Sequence, residues 1–148
     1  METDMTEKNT PQEAMTSFLR SMKNWESYYS EKLFSAAEED RFDDMKTIKS
    51  AAREALDEIF NTHCLKDKGD RRRLISVSMK EPTTYDPERD KIELKLKEEK
   101  KAIFEYQQTV GLESKIRFEL KKNKEDIWKI NTATFYDETN GKWIRWML

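Results

Sequence analysis

The chain has 148 residues, of which 36% are hydrophobic and 39% charged, with 11% aromatic and a net charge of −2. This length suits one domain, and the 4 Trp and 7 Phe place it with compact proteins rather than with aromatic-poor disordered chains. The near-neutral balance excludes bulk attraction to nucleic acid. No apolar stretch approaches the roughly 18 residues of a membrane span.

The first ten residues are polar and acidic and carry no apolar leader. Cys64 is the one cysteine, so no internal disulfide can form, and a reducing, cytoplasmic compartment is expected. Charge is uneven along the chain. Residues 1–65 hold 8 Lys/Arg against 14 Asp/Glu, and the rest hold 20 against 16. The acidic half could steer a basic partner, or could be a solvated surface.

Residues 1–9 read as a flexible tail and residues 10–148 as one domain. Thr10-Pro11-Gln12-Glu13 carries a capping Thr, a Pro at the first helical position and a Glu three residues after the cap. Met15, Phe18, Met22, Trp25 and Tyr29 follow at helical spacing. The pattern from Leu33 to Asp44 does not decide between helix and loop. A second helix carries Met45, Ile48, Ala52, Ala55, Leu56, Ile59 and Phe60 on one side and ends near His63-Cys64. A charged loop through Leu65–Arg73 comes next.

The period then changes to that of strands. Ile75, Val77 and Met79 alternate, as do Ile92, Leu94 and Leu96, and Ile116, Phe118 and Leu120. Ile103–Tyr106 forms another strand. Trp128, Ile130, Thr132, Thr134 and Tyr136 are expected on one face. Lys121–Asp126 reads as a hairpin turn. A last strand, Trp143–Leu148, pairs back through a turn at Asn140-Gly141, where positive φ is tolerated. Helices first and five or six antiparallel strands afterwards give an α+β layer fold.

Candidate chemistry is sparse. His63 is the sole histidine, and helical neighbours point about 100° apart, so His63 and Cys64 do not form a natural catalytic pair. Asp86, Glu88 and Asp90 open like a calcium loop, but Lys91 and Lys97 stand where Gly and a bidentate Glu are needed. Three separated glycines cannot make a phosphate loop. Arg71-Arg72-Arg73 is basic but stands alone before a strand, without the interleaved aromatics of nucleic-acid modules. Trp25 reads as core; Trp128, Trp143 and Trp146 sit on neighbouring C-terminal strands, where Trp143 and Trp146 face opposite sides of the sheet and one could anchor a partner.

Several phrases in order carry a family resemblance. They are Thr10-Pro-Gln-Glu13, Met22-Lys-Asn-Trp25-Glu26, Glu81-Pro-Thr-Thr-Tyr85-Asp86-Pro87, Ile116-Arg-Phe-Glu-Leu120, Ile127-Trp-Lys-Ile-Asn131 and Gly141-Lys-Trp143. Over Thr10 to Leu148 the chain resembles the immunity proteins of bacterial polymorphic toxins that have a nuclear transport factor 2-like fold. The resemblance implies a strongly curved antiparallel sheet around N-terminal helices, enclosing a cone. It implies a cognate toxin domain as partner and stoichiometric inhibition, with no catalytic residue, metal or cofactor.

Enzymes of this fold place an inward acid or an acid–histidine pair in the cone. Here the strand carboxylates Glu93, Glu105 and Glu119 alternate with apolar residues and read as outward-facing. The acids Glu38, Glu39, Asp40, Asp43 and Asp44 are the expected toxin contacts, because many toxins that attack nucleic acids present basic surfaces. Two rival readings remain: a ligand site in the cone using Tyr106, Tyr136 or His63, and a dimerising adaptor.

Overall fold

The computed structural model describes residues 8–65, 83–111 and 113–145. The expected strand at Ile75–Met79, the Arg71–Arg73 cluster and Trp146 lie outside the described residues, as does most of the expected tail.

Helix α1 spans Pro11–Glu38 and α2 spans Phe42–His63. Strands β1 (Lys91–Lys97), β2 (Lys101–Gln107), β3 (Lys115–Lys122), β4 (Trp128–Asp137) and β5 (Lys142–Arg145) follow. They form one antiparallel sheet in sequence order. This is the expected α+β arrangement of helices on a sheet.

The start of α1 follows from its sequence. The Glu13 amide donates to Thr10 Oγ1 at 3.1 Å, and the Thr10 amide donates to Glu13 Oε1 at 2.8 Å, so two amides that the helix leaves free are satisfied. The undecided stretch resolves as helix up to Glu38, a short turn with Asp40 at φ 56°, and a new helix from Phe42. The amide of Arg41 closes that turn on Ala36 O at 2.8 Å. At the other end of the chain, Gly141 takes φ 66° in the β4–β5 turn, as the Asn-Gly pair predicts.

The core lies between the helices and one face of the sheet. Met15, Phe18, Leu19, Met22 and Trp25 of α1 and Ala52, Leu56 and Phe60 of α2 are buried there. They meet Phe104, Tyr106, Ile116, Phe118, Leu120, Trp128 and Ile130 from the sheet. Trp25 Nε1 donates to Ala52 O at 2.8 Å and ties the two helices together.

Two bulges change the face assignments. In β4, Ile130 opposes Leu120 but Thr132 opposes Glu119, which leaves Asn131 as an extra residue. Trp128 and Ile130 therefore face the helices, while Thr132, Thr134 and Tyr136 turn to the other face and buried Ala133 takes the inward place. The one-face expectation for this strand fails, because one inserted residue inverts the alternation. In β1 the register shifts between Leu94 and Leu96. Ile92 and Leu94 pair with inward Tyr106 and Phe104, but Leu96 pairs with outward Ile103.

The inside of the sheet is filled by rings. Tyr85, carried on the loop before β1, is fully buried and packs against Tyr106 at 5.5 Å and Phe118 at 5.8 Å between ring centres. Phe18 closes the cluster against Phe118 at 6.1 Å. Glu26 holds that loop: its Oε1 accepts from the Thr84 amide at 2.8 Å and its Oε2 accepts from Thr84 Oγ1 at 3.1 Å.

Further along, Asp90 accepts from Arg89 Nε at 2.7 Å, from the Thr109 amide at 3.0 Å and from the hydroxyl of Tyr106. Burial pushes the Asp90 carboxyl up, but the hydrogen bonds from Arg89, Tyr106 and Thr109 outweigh it and hold it below the usual carboxylate range. Burial, and then the bond to Asp90, raises Tyr106, which stays a hydroxyl donor.

Replacing Glu26 with Ala leaves two buried donors on Thr84 unpaired, and stability measured by urea unfolding falls by about 2–4 kcal/mol. A loss below about 0.5 kcal/mol would show that the loop is held elsewhere. Because its folded pKa is depressed, Asp90 contributes stability that is present above the unfolded value near 3.9 and is lost as pH falls through the folded one. Acid titration of Asp90→Asn, followed by tryptophan fluorescence, therefore shows a shallower decline below about pH 4 than the parent.

Candidate functional site at the tip of the helical hairpin

The turn between α1 and α2 brings together all five acids that the sequence singles out. Glu38, Glu39, Asp40, Asp43 and Asp44 are exposed, within seven residues, and Arg41 is the sole cation among them. Arg41 Nε lies 2.6 Å from Glu39 and its Nη1 lies 2.7 Å from Asp44. The bonds to Asp44 and Glu39 raise the Arg41 guanidinium further above its ordinary value, so this cation is engaged inside the turn. Glu38, Asp40 and Asp43 keep unneutralised charge among the described residues.

Helix stability favours two of these acids and disfavours two others. Asp43 and Asp44 suit the first turn of α2, where the backbone dipole attracts anions. Glu38 and Glu39 stand at the end of α1, where no basic residue occupies the last turn and the dipole repels them. Negative charge is concentrated at this turn against the local preference of one of its helices.

Phe34 precedes the acids, Phe42 stands among them, and the two are 66% and 64% exposed. Tyr28 is also exposed, with Lys32 Nζ 4.9 Å from its ring centre. Exposed phenyl groups close in sequence to charged residues are the residue types that serve as anchors and rim in protein interfaces. Sequence reasoning misses both rings. Phe34 falls in the undecided segment and off the α1 stripe, and that departure from the stripe is the signal that marks it.

The remaining candidate residues do not converge on one site. Tyr106 is buried and bonded to Asp90, while Tyr136 lies on the opposite face against Trp143, with ring centres 5.3 Å apart. His63 is half-buried, with Nε2 3.3 Å from Ser21 Oγ. Burial, and then Lys129, lowers its basicity. Cys64 is buried at the end of α2. Asp86 Oδ1 accepts the amides of Glu88 at 3.1 Å and Arg89 at 3.3 Å, so of the calcium-like trio Asp86 and Asp90 serve the loop itself, while the Glu88 carboxylate meets Arg20 of α1. Glu105 and Glu119 lie on the face away from the helices, where Glu105 meets Arg117 at 2.8 Å and Glu119 meets Asn131 Nδ2 at 2.7 Å.

Comparison with known families decides the class. The family described as NTF2 fold immunity protein matches residues 10–147. The chain belongs to this family. It is also 33% identical, over 145 residues, to a protein of Dickeya dadantii (strain 3937) named Immunity protein RhsIA, an alignment covering 97% of this chain and 100% of that protein. No solved structure matches. A family of immunity proteins is one whose members neutralise toxins, and that is the function the family gives this chain. No described helix is long and apolar enough to cross a membrane.

The exposed rings give a stability test. Phe34→Ser and Phe42→Ser each change unfolding free energy by less than about 0.5 kcal/mol, whereas buried Phe18→Ala costs about 3–5 kcal/mol. A cost above about 2 kcal/mol for Phe34→Ser, beyond the surface range, would mean that another part of the chain covers the ring.

Proposed function

We propose that this immunity protein binds one cognate bacterial toxin domain stoichiometrically in the cytoplasm, through the α1–α2 tip, and blocks it without bond chemistry. The observation that carries this reading is the exposure of Phe34, near the end of α1, and of Phe42, at the start of α2, close in sequence to exposed Glu38, Glu39, Asp40, Asp43 and Asp44. The carboxylates attract a basic toxin surface and speed encounter, and the phenyl groups enter apolar hollows and slow departure. The aromatic cluster of Phe18, Tyr85, Tyr106 and Phe118 supports a binding role, because it fills the interior where an enzyme of this architecture would hold substrate.

A second reading has its own observation. The sheet face away from the helices carries Arg117 4.0 Å from the ring centre of Trp143, with Tyr136 against the same ring. Arginine and tryptophan are favoured interface anchors, and a second copy of the chain would use this face.

The test uses the full chain, tagged in its source cell, with the toxin-bearing chain that co-purifies. Association is then measured at low and high salt. Changing the five acids to Asn or Gln slows association by about tenfold or more at low salt and much less at high salt. Phe34→Ala with Phe42→Ala raises the dissociation rate by about tenfold or more. Unchanged rates in both variants would remove the tip from the interface. A concentration-dependent dimer mass lost on Trp143→Ala would favour the second reading.

A further inference from the structure

We propose that the open groove between the start of α1, the end of α2 and the start of β4 is a binding site for a multiply charged oxyanion of the phosphate class. The groove encloses about 670 Å³, within the range of small-molecule sites. Three separate segments bring cations to it: Lys8 from the chain before α1, Arg20 from α1 and Lys129 from β4. Thr16 and Ser17 add hydroxyls on the α1 side.

The groove is built rather than incidental. Asn9 clamps the chain start to the sheet, since its Oδ1 accepts from the Trp128 amide at 2.8 Å and its Nδ2 donates to Trp128 O at 3.3 Å. That clamp fixes the backbone beside Lys8. Among the described residues Glu13 is the sole carboxylate in the lining, and its Oε1 is held by the Thr10 amide. The negative end of α2 is covered where Lys129 Nζ donates to Thr62 O.

His63 stands in the wall among Ser21, Phe18 and Lys129. Its lowered basicity, from burial first and from Lys129 second, reports surroundings that disfavour one more positive charge. An oxyanion relieves that field. Arg20 reaches Glu88 at 3.1 Å, but both side chains are more than half exposed, and an exposed pair of this kind is weak enough to exchange for a ligand.

The lining also narrows the ligand. A nucleic-acid strand would need an aromatic surface for its bases. The ring of Trp128 is 1% exposed, with Lys97 and Lys122 at 5.3 and 5.6 Å from its centre, so it cannot stack a base. Compact charge is what the groove can recognise.

The experiment is calorimetric titration of the full chain with pyrophosphate, inorganic phosphate and ribose 5-phosphate at constant ionic strength. Saturable binding is expected, with a dissociation constant below about 1 mM for the best of the three. Lys8→Gln and Arg20→Gln each weaken it by about tenfold. These side chains lie on the rim, and circular dichroism verifies that both variants stay folded. In proton NMR, the His63 pKa rises when the anion is present. Tighter binding of ribose 5-phosphate than of phosphate assigns the source to an ester, and the reverse assigns it to the free ion. Absence of saturable heat with all three anions, or binding unaffected by both substitutions, overturns the proposal.

Discussion

The fold depends on a carboxyl group buried in the middle of a helix. Glu26 is 1% exposed, and burying such a group is costly unless it is hydrogen-bonded. Its partners include the amide and hydroxyl of Thr84, 58 positions away. This contact fixes the loop that carries Tyr85, and Tyr85 fills the space between α1 and the sheet. Downstream of the same loop, Asp90 gathers Arg89, Thr109 and Tyr106 and fastens the approach to β1 onto the end of β2. These groups satisfy one another, and Tyr85, Tyr106 and Phe118 pack together between the helices and the sheet.

The phrases that carry the family resemblance owe their meaning to this arrangement. Trp25 and Glu26 lie side by side on α1. One ties α1 to Ala52 of α2, and the other ties it to the loop of Tyr85 and Asp86. The two motifs are the two sides of one joint, so they identify the fold and leave the toxin contacts unspecified. Surfaces that meet a particular partner need not share its chemistry with other members.

Legibility followed the range of the forces involved. The α1 start was readable because a capping box is complete within four residues. The helical stripes and the buried row of β3 were readable because their periods match their faces. Strand β4 was misread because the insertion at Asn131 is set by its pairing with β3, and nothing within β4 announces it. The Leu33–Asp44 stretch stayed undecided because its helical end and its turn hold dense charge and few apolar residues. The same scarcity leaves Phe34 and Phe42 uncovered. The five acids could be singled out in sequence, but their assembly on one turn became apparent only once both helix ends were placed.

The charge distribution gains meaning from α2. Its 22 residues set about 33 Å between the two ends at about 1.5 Å per residue. One end carries the acidic tip. The other carries Lys129, with Lys8 and Arg20 in one groove and Lys122 and Lys124 in the hollow on its other side. A separation several times the Debye length of about 8 Å in physiological salt lets the two ends act independently. A net charge of −2 therefore conceals two opposed local fields. The exposed rings of Phe34 and Phe42 lie near the acidic end.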